Sequence, residues 1–149
     1  MSEQTAQFVL QRIYVKDASF ESPRSPASFR GQWNPNINLE LNTRHNLVDE
    51  NVYEVILSVT VTARNENEEV LYLSEVQQAG VFTAIGFEDD ALERTLGTFC
   101  PNVLFPYARE TIDSMVTKGS FPALLLAPVN FDALFDQAKL KQAQDNATH

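Results

Sequence analysis

VYEVILSVTVTA, residues 52–63, alternates almost without a break: Tyr53, Val55, Leu57, Val59 and Val61 present one face, and Glu54, Ser58, Thr60 and Thr62 the other. A period of two belongs to a β-strand, whose successive side chains point to opposite sides of a sheet. After the hydrophilic connection RNENEE (64–69), VLYLSEVQQAGVF (70–82) returns as a second long strand. So short a connection predicts antiparallel pairing. Upstream, Ile37, Leu39 and Leu41 alternate with Asn36, Asn38, Glu40 and Asn42, and FVLQRIYV (8–15) is rich in β-formers. Four strands therefore follow one another with no helix between them.

Between the first two strands lies ASFESPRSPASFRGQWNP (18–35), where three prolines forbid a long helix and the serines favour turns. Phe20, Phe29 and Trp33 stand in it. Rings of that size predict an ordered crossover with an apolar partner, not a flexible linker. Helical signals come only after residue 86. Residues 87–98 open with Glu88, Asp89 and Asp90, acids that a helix N-terminus stabilises. The stretch 101–118 sets Leu104, Ala108, Ile112, Met115 and Val116 on one face, with Lys118 in its last turn and Gly119 placed to end it. Pro106 predicts a shift or kink near its start. Asn130 is positioned to cap a final helix carrying Phe131, Leu134, Phe135 and Ala138 at helical spacing. Strands followed by helices predict an α+β fold: a four-stranded antiparallel sheet with the C-terminal helices packed on one face. The expected organisation is a flexible N-terminus over residues 1–7, a single domain over 8–141 and a flexible polar tail over 142–149.

The chain has 149 residues and a net charge of −9, which suits one domain and disfavours nucleic acid, whose phosphates require clustered Lys and Arg. A basic protein surface is the complementary partner. Cys100 is the single cysteine, which excludes an intrachain disulfide and fits a reducing compartment; Phe99, Pro101 and Val103 around it predict a buried thiol. MSEQTAQ at the start has no export signal, and no apolar run reaches the length of a membrane span. A cytoplasmic protein with no direct membrane insertion is expected.

The residue types that perform chemistry are sparse. His45 and His149 are the two histidines, neither with partners at metal-ligand spacing, and the five glycines are scattered without forming a phosphate loop. The acid pairs Asp49–Glu50, Glu68–Glu69 and Asp89–Asp90 fall in turns and helix starts, where solvated charge is the ordinary role. Neither catalysis nor a metal or cofactor is expected. Surfaces are expected to do the work instead. Helices cover one face of such a sheet, so the other face is wet or meets another subunit. Leu104, Ala108, Ile112, Met115 and Val116 make the 101–118 helix an oligomer interface, the preferred reading, or else a simply well-buried helix. Phe20, Phe29 and Trp33, with Phe131, Leu134 and Phe135, could line a groove floored by Ile37, Leu39 and Leu41; ordinary core packing is the alternative.

Five stretches, QRIYVKDASFE (11–21), VYEVILSVTVTA (52–63), SEVQQAGVF (74–82), FCPNVLFPYARE (99–110) and LAPVNFDALF (126–135), occur in the order found in the SecB family of bacterial protein-export chaperones, which the chain resembles over nearly its whole length. The resemblance implies a homotetramer, a dimer of dimers, that holds unfolded precursor proteins in the cytoplasm and passes them to the SecA ATPase. It also implies an apolar peptide groove containing Trp33, Ile37, Leu39, Leu41, Tyr72, Phe131, Leu134 and Phe135. A docking surface for SecA is implied at Asp17, Glu21, Leu73 and Glu75. Leu125 makes the loop before LAPVNF more apolar than the family pattern. The competing expectation is an acidic oligomeric adaptor that recruits a basic partner and has no client groove.

Overall fold

The computed structural model describes residues 5–147. Its elements are β1 (Gln7–Glu21), β2 (Asn36–Asp49), β3 (Val52–Arg64), β4 (Val70–Ile85), α1 (Asp89–Arg94), a π-helical turn (Thr95–Phe99), α2 (Cys100–Lys118) and α3 (Phe131–Ala147). The strands form one sheet in the order β1-β4-β3-β2, and every pair is antiparallel. Strands β2, β3 and β4 are a meander; β1 returns beside β4, so β1 and β2 are the two edges.

The sheet has the expected two faces. Val55, Leu57, Val59, Val61 and Ala63 of β3 join Tyr72, Val76 and Phe82 of β4 on the inner face, where α2 supplies Leu104, Ala108, Ile112 and Val116 to the same core. Strand β1 is longer than its period-two signal because register shifts between Leu10 and Arg12 and between Val15 and Asp17 reset the alternation. The crossover consequently shrinks to residues 22–35.

Helix α2 corrects one expectation. Leu104, Ala108, Ile112 and Val116 are 0% exposed inside a single chain, and Met115 is partly buried against the same core. The apolar stripe of α2 is thus the face that seats it on the sheet, and of the five residues expected at a subunit interface only Met115 keeps exposed surface. Pro106 does not interrupt α2; Pro106 and Asn102 are both exposed, so the carbonyl deprived of its amide partner lies on the wet side. The distortion comes earlier, where Cys100 donates its N–H to Thr95 O across the π turn. In a regular helix Pro101 would press on the carbonyl four residues back, and the wider turn precedes it.

The end of α2 is a Schellman motif. Ser120 N–H bonds Thr117 O at 3.0 Å and Phe121 N–H bonds Val116 O at 3.2 Å. The left-handed residue is Ser120 (φ 67), not Gly119 (φ −78). Gly119 is small for another reason: a Cβ there would stand 2.5 Å from the Phe20 ring. At the start of α3, Asn130 Oδ1 accepts the Ala133 N–H at 3.0 Å, as expected of a cap. Helix α3 then continues through Ala147 instead of yielding to a tail at 142, since Lys, Gln and Ala in KQAQDNA are good helix formers. Strand β1 likewise begins at Gln7, inside the segment expected to be flexible. Residues 1–4 and 148–149 of the two expected flexible ends, His149 among them, lie outside the described residues.

Candidate functional site

The crossover rings gather around a residue the periodicity did not single out. Delivered by the Schellman turn, Phe121 is 5% exposed, and its ring centroid lies 5.0 Å from Tyr72, 5.4 Å from Phe29, 5.5 Å from Trp33 and 6.3 Å from Phe20. Trp33 also stacks on Tyr72 at 6.4 Å and Phe20 does so at 5.8 Å. The cluster is two-sided: Tyr72 and Phe121 are buried, whereas Phe29 and Trp33 remain 48% and 38% exposed. Burial, aided by the Asp113 charge, pushes the Tyr72 phenol up to about 12, so it stays neutral and apolar in character. An ion pair from Arg24 to Glu69 (2.5 Å) ties the crossover to the β3–β4 turn.

A second apolar element stands further along β2. Leu41, Thr43 and His45 face Phe131, Leu134, Phe135 and Ala138 of α3 across a cleft of about 380 Å³. Phe131 is buried, Phe135 half-buried and Leu134 exposed. Helix α3 is seated by Phe135, whose ring lies so close to Gly97 that a Cβ there would approach it to 2.7 Å. Arg94 lies over that ring at 4.8 Å and pairs with Asp136 at 2.5 Å and Asp132 at 3.4 Å. Lys139 lies 5.7 Å from the same ring and pairs with Glu93 at 2.7 Å. The expected groove residues are therefore brought together in two groups: Phe20, Phe29, Trp33 and Tyr72 around Phe121, and Phe131, Leu134 and Phe135 on α3. Half-buried Ile37, Leu39 and Leu41 run between them on the inner face of β2. From Ile37 to Leu41 the strand covers about 13 Å. Leu125 points away from all of this at 88% exposed, while its neighbours Leu124 and Leu126 pack on the core.

The outer face of the sheet carries no helix among the described residues. There Glu21 is opposite Leu73, Ser19 opposite Glu75 and Asp17 opposite Gln77, so the four expected docking residues share one end of one face. Toward the other end, Glu54 on β3 ties three strands together. It accepts the Tyr14 hydroxyl and the Lys16 ammonium (2.9 Å) from β1, and the Asn46 amide (3.4 Å) from β2. The bond from Tyr14 is the main reason the Glu54 carboxyl is held below its usual range, with Lys16 adding to it against the opposing effect of burial. Tyr14 in turn is pushed up to about 12 by burial and by Glu54. A lowered carboxyl pKa stabilises the fold above the ordinary carboxylate range, and that contribution is lost as pH falls through the folded value. Glu54→Gln should cost about 1–3 kcal/mol at neutral pH. In urea unfolding, the wild-type advantage should shrink between about pH 7 and pH 3.

Cys100 is 0% exposed and burial pushes its thiol up to about 12, which leaves it inert, as its apolar neighbours suggested. Among the described residues, no three His, Cys, Asp or Glu side chains gather to hold a metal ion. No helix among the described residues is long and apolar enough to cross a membrane.

Compared with known proteins, residues 1–142 match the family described as Preprotein translocase subunit SecB. The chain is 60% identical over 141 residues to the Protein-export protein SecB of Marinobacter nauticus, covering 95% of this chain and 84% of that one. It is 59% identical over 136 residues to the Stutzerimonas stutzeri protein of the same name, covering 91% and 82%. Among solved structures, the Mycobacterium tuberculosis SecB-like chaperone Rv1957, in complex with a ChAD peptide from the Rv1956 HigA1 antitoxin, shares the fold. Its TM-score is 0.67 at 19% identity, over 83% of this chain and 90% of that one.

Proposed function

This chain belongs to the SecB family of protein-export chaperones, and on that premise we propose that it holds unfolded precursors in the cytoplasm along the inner-face strip of β2 and hands them to SecA. The observation that carries the reading is the strip itself: a cluster of rings at one end, α3 at the other, and half-buried aliphatics between. Such a surface offers apolar burial without a shaped pocket, which is what binding many different sequences demands. Each client side chain buried there contributes about 1.5–3 kcal/mol before ordering costs. Extended clients touching several sites gain further through effective concentration. An acidic adaptor without a groove leaves the solvent-facing Trp33, Phe29 and Leu134 unexplained.

Docking of SecA is assigned to Asp17, Glu21, Leu73 and Glu75, which combine three carboxylates without an ion pair among the described residues with one half-buried leucine on the outer face. Assembly into a homotetramer would draw on apolar residues outside the core: Val9, Leu10 and Val15 on the β1 edge, and Phe99 and Tyr107 along the helix, each at least 41% exposed. Light scattering of the chain alone tests that assembly.

Trp33→Ala combined with Leu134→Ala removes two exposed groove side chains and no buried one, although the Trp33 ring also covers Tyr72 and Phe121. The variant should need at least about tenfold more protein to suppress aggregation of a slow-folding precursor, as its two lost contacts are worth more than 1.4 kcal/mol together. Unaltered suppression, or equal binding of the wild type to the folded precursor, would overturn the groove.

A further inference from the structure

Charge on the outer face of the sheet is segregated along the strands. One end holds Asp17, Glu21, Glu75 and Glu40, with Glu40 and Glu75 both in register with Thr60. Further along, Arg12 and Arg44 flank Glu54, which Lys16 reaches from the bulge beside Asp17, and Asp49 lies beyond them in register with Val52. Lys16 is matched by Glu54, but Arg12 and Arg44 make no ion pair among the described residues and both are exposed. In a chain of net charge −9 with eleven Lys and Arg in all, two unpaired guanidinium groups on one uncovered face are out of keeping with a surface that is merely acidic. Their placement is fixed, not incidental. Arg44 is in register with Ile56, Ile56 with Ala79 and Ala79 with Tyr14, while Arg12 is in register with Val81 and Val81 with Glu54. Ile56 is 1% exposed although no helix lies over it. Tyr14 lies on this face with its hydroxyl on Glu54, and Arg44 is exposed beside it. From Glu75 to Val81 the strand advances about 20 Å.

We propose that this basic end is the second half of the docking surface, engaging an acidic group of the partner roughly 13–20 Å along the strands from the basic group that the Asp17–Glu75 end engages. The occupant is thus a protein segment with a basic stretch and an acidic stretch at that separation. A charge pair at each end allows the segment to lie on the sheet in one direction only, because the reversed orientation sets like charges against each other at both ends. The proposal rests on the docking reading above.

Binding of the full-length chain to SecA, measured by calorimetry at two ionic strengths, tests both together but separably. Arg12→Glu with Arg44→Glu should weaken binding by about tenfold or more and reduce its salt dependence, as should Asp17→Lys with Glu75→Lys. Weakening by the arginine pair alone would overturn the acidic docking reading and with it the two-ended surface. Unchanged or tighter binding by the arginine variant, with weakening by the acidic one, overturns the proposal and leaves the docking reading standing, since a wholly basic partner gains from added negative charge. Unchanged binding by both variants overturns both. Should the double reversal unfold the chain, Arg12→Gln with Arg44→Gln keeps the test: a reproducible loss of about threefold supports the proposal and no loss overturns it.

Discussion

Phe121→Ala is expected to lower the unfolding free energy by about 3–5 kcal/mol and to disperse the ring cluster that begins the client strip. Phe121 touches four rings, and of the two that face solvent, Phe29 packs on Phe121, while Trp33 shares its support between Phe121 and Tyr72. The Arg24–Glu69 pair that remains to hold the crossover is itself part-exposed, and exposed ion pairs contribute little. Trp33 is the only tryptophan in the chain, so its emission reports on the cluster directly. A red-shifted emission and lost aggregation suppression should accompany the drop in stability. Phe29→Ala, which removes a ring already 48% exposed, should cost much less stability. An unshifted Trp33 spectrum in Phe121→Ala would show that the crossover holds its rings without this anchor.

Gly97→Leu should release α3 while leaving the sheet intact. The Phe135 ring occupies the space a side chain would need, and helix neighbours on both sides prevent Gly97 from withdrawing. Once Phe135 is displaced, Arg94 and Lys139 lose the ring they cover, and their ion pairs alone are exposed and screened by salt. Losing the burial of one aromatic side chain is worth about 1.5–3 kcal/mol. Amide exchange over residues 131–147 should therefore accelerate by roughly 10- to 100-fold, with β3 and β4 unaffected. Arg94→Gln should give a smaller acceleration that fades at high salt, because it removes the clamp and leaves the seat. Equal protection of α3 in Gly97→Leu and wild type would contradict this account of how α3 is held.

Strands β3 and β4 were legible because their inner face imposes a period of two that Ile56 and Ala79, buried on the other face, interrupt only locally, and β2 because its first half alternates too. Strand β1 was legible only as far as Val15, since two register shifts scramble its alternation. The buried stripe of α2 could be read, but not its destination: Leu104, Ala108 and Ile112 look alike whether they meet a sheet or a second chain. Phe121 escaped notice because it stands in an irregular segment with no period to flag it. A signal did exist. An aromatic residue two positions past a helix-ending Gly is placed for the hydrophobic contact of a Schellman motif. The acidic docking residues came from family resemblance, whereas the unpaired arginines at the other end of that face appear only when the strand register sets them side by side.

The strand order also dictates a sequence of assembly. Strands β2, β3 and β4 are joined by short turns and can zip together as they form, but Gln7 finds its partner only at Ile85 and Glu21 only at Leu73. Closing loops of that length is entropically costly and slow, so β1 is expected to dock last, onto a meander already built. During synthesis the first strand of this sheet is then the one that must wait longest, its backbone unpaired and Phe8, Ile13 and Phe20 uncovered until β4 is complete. A protein that shelters the unfinished chains of others passes through the same vulnerable interval itself.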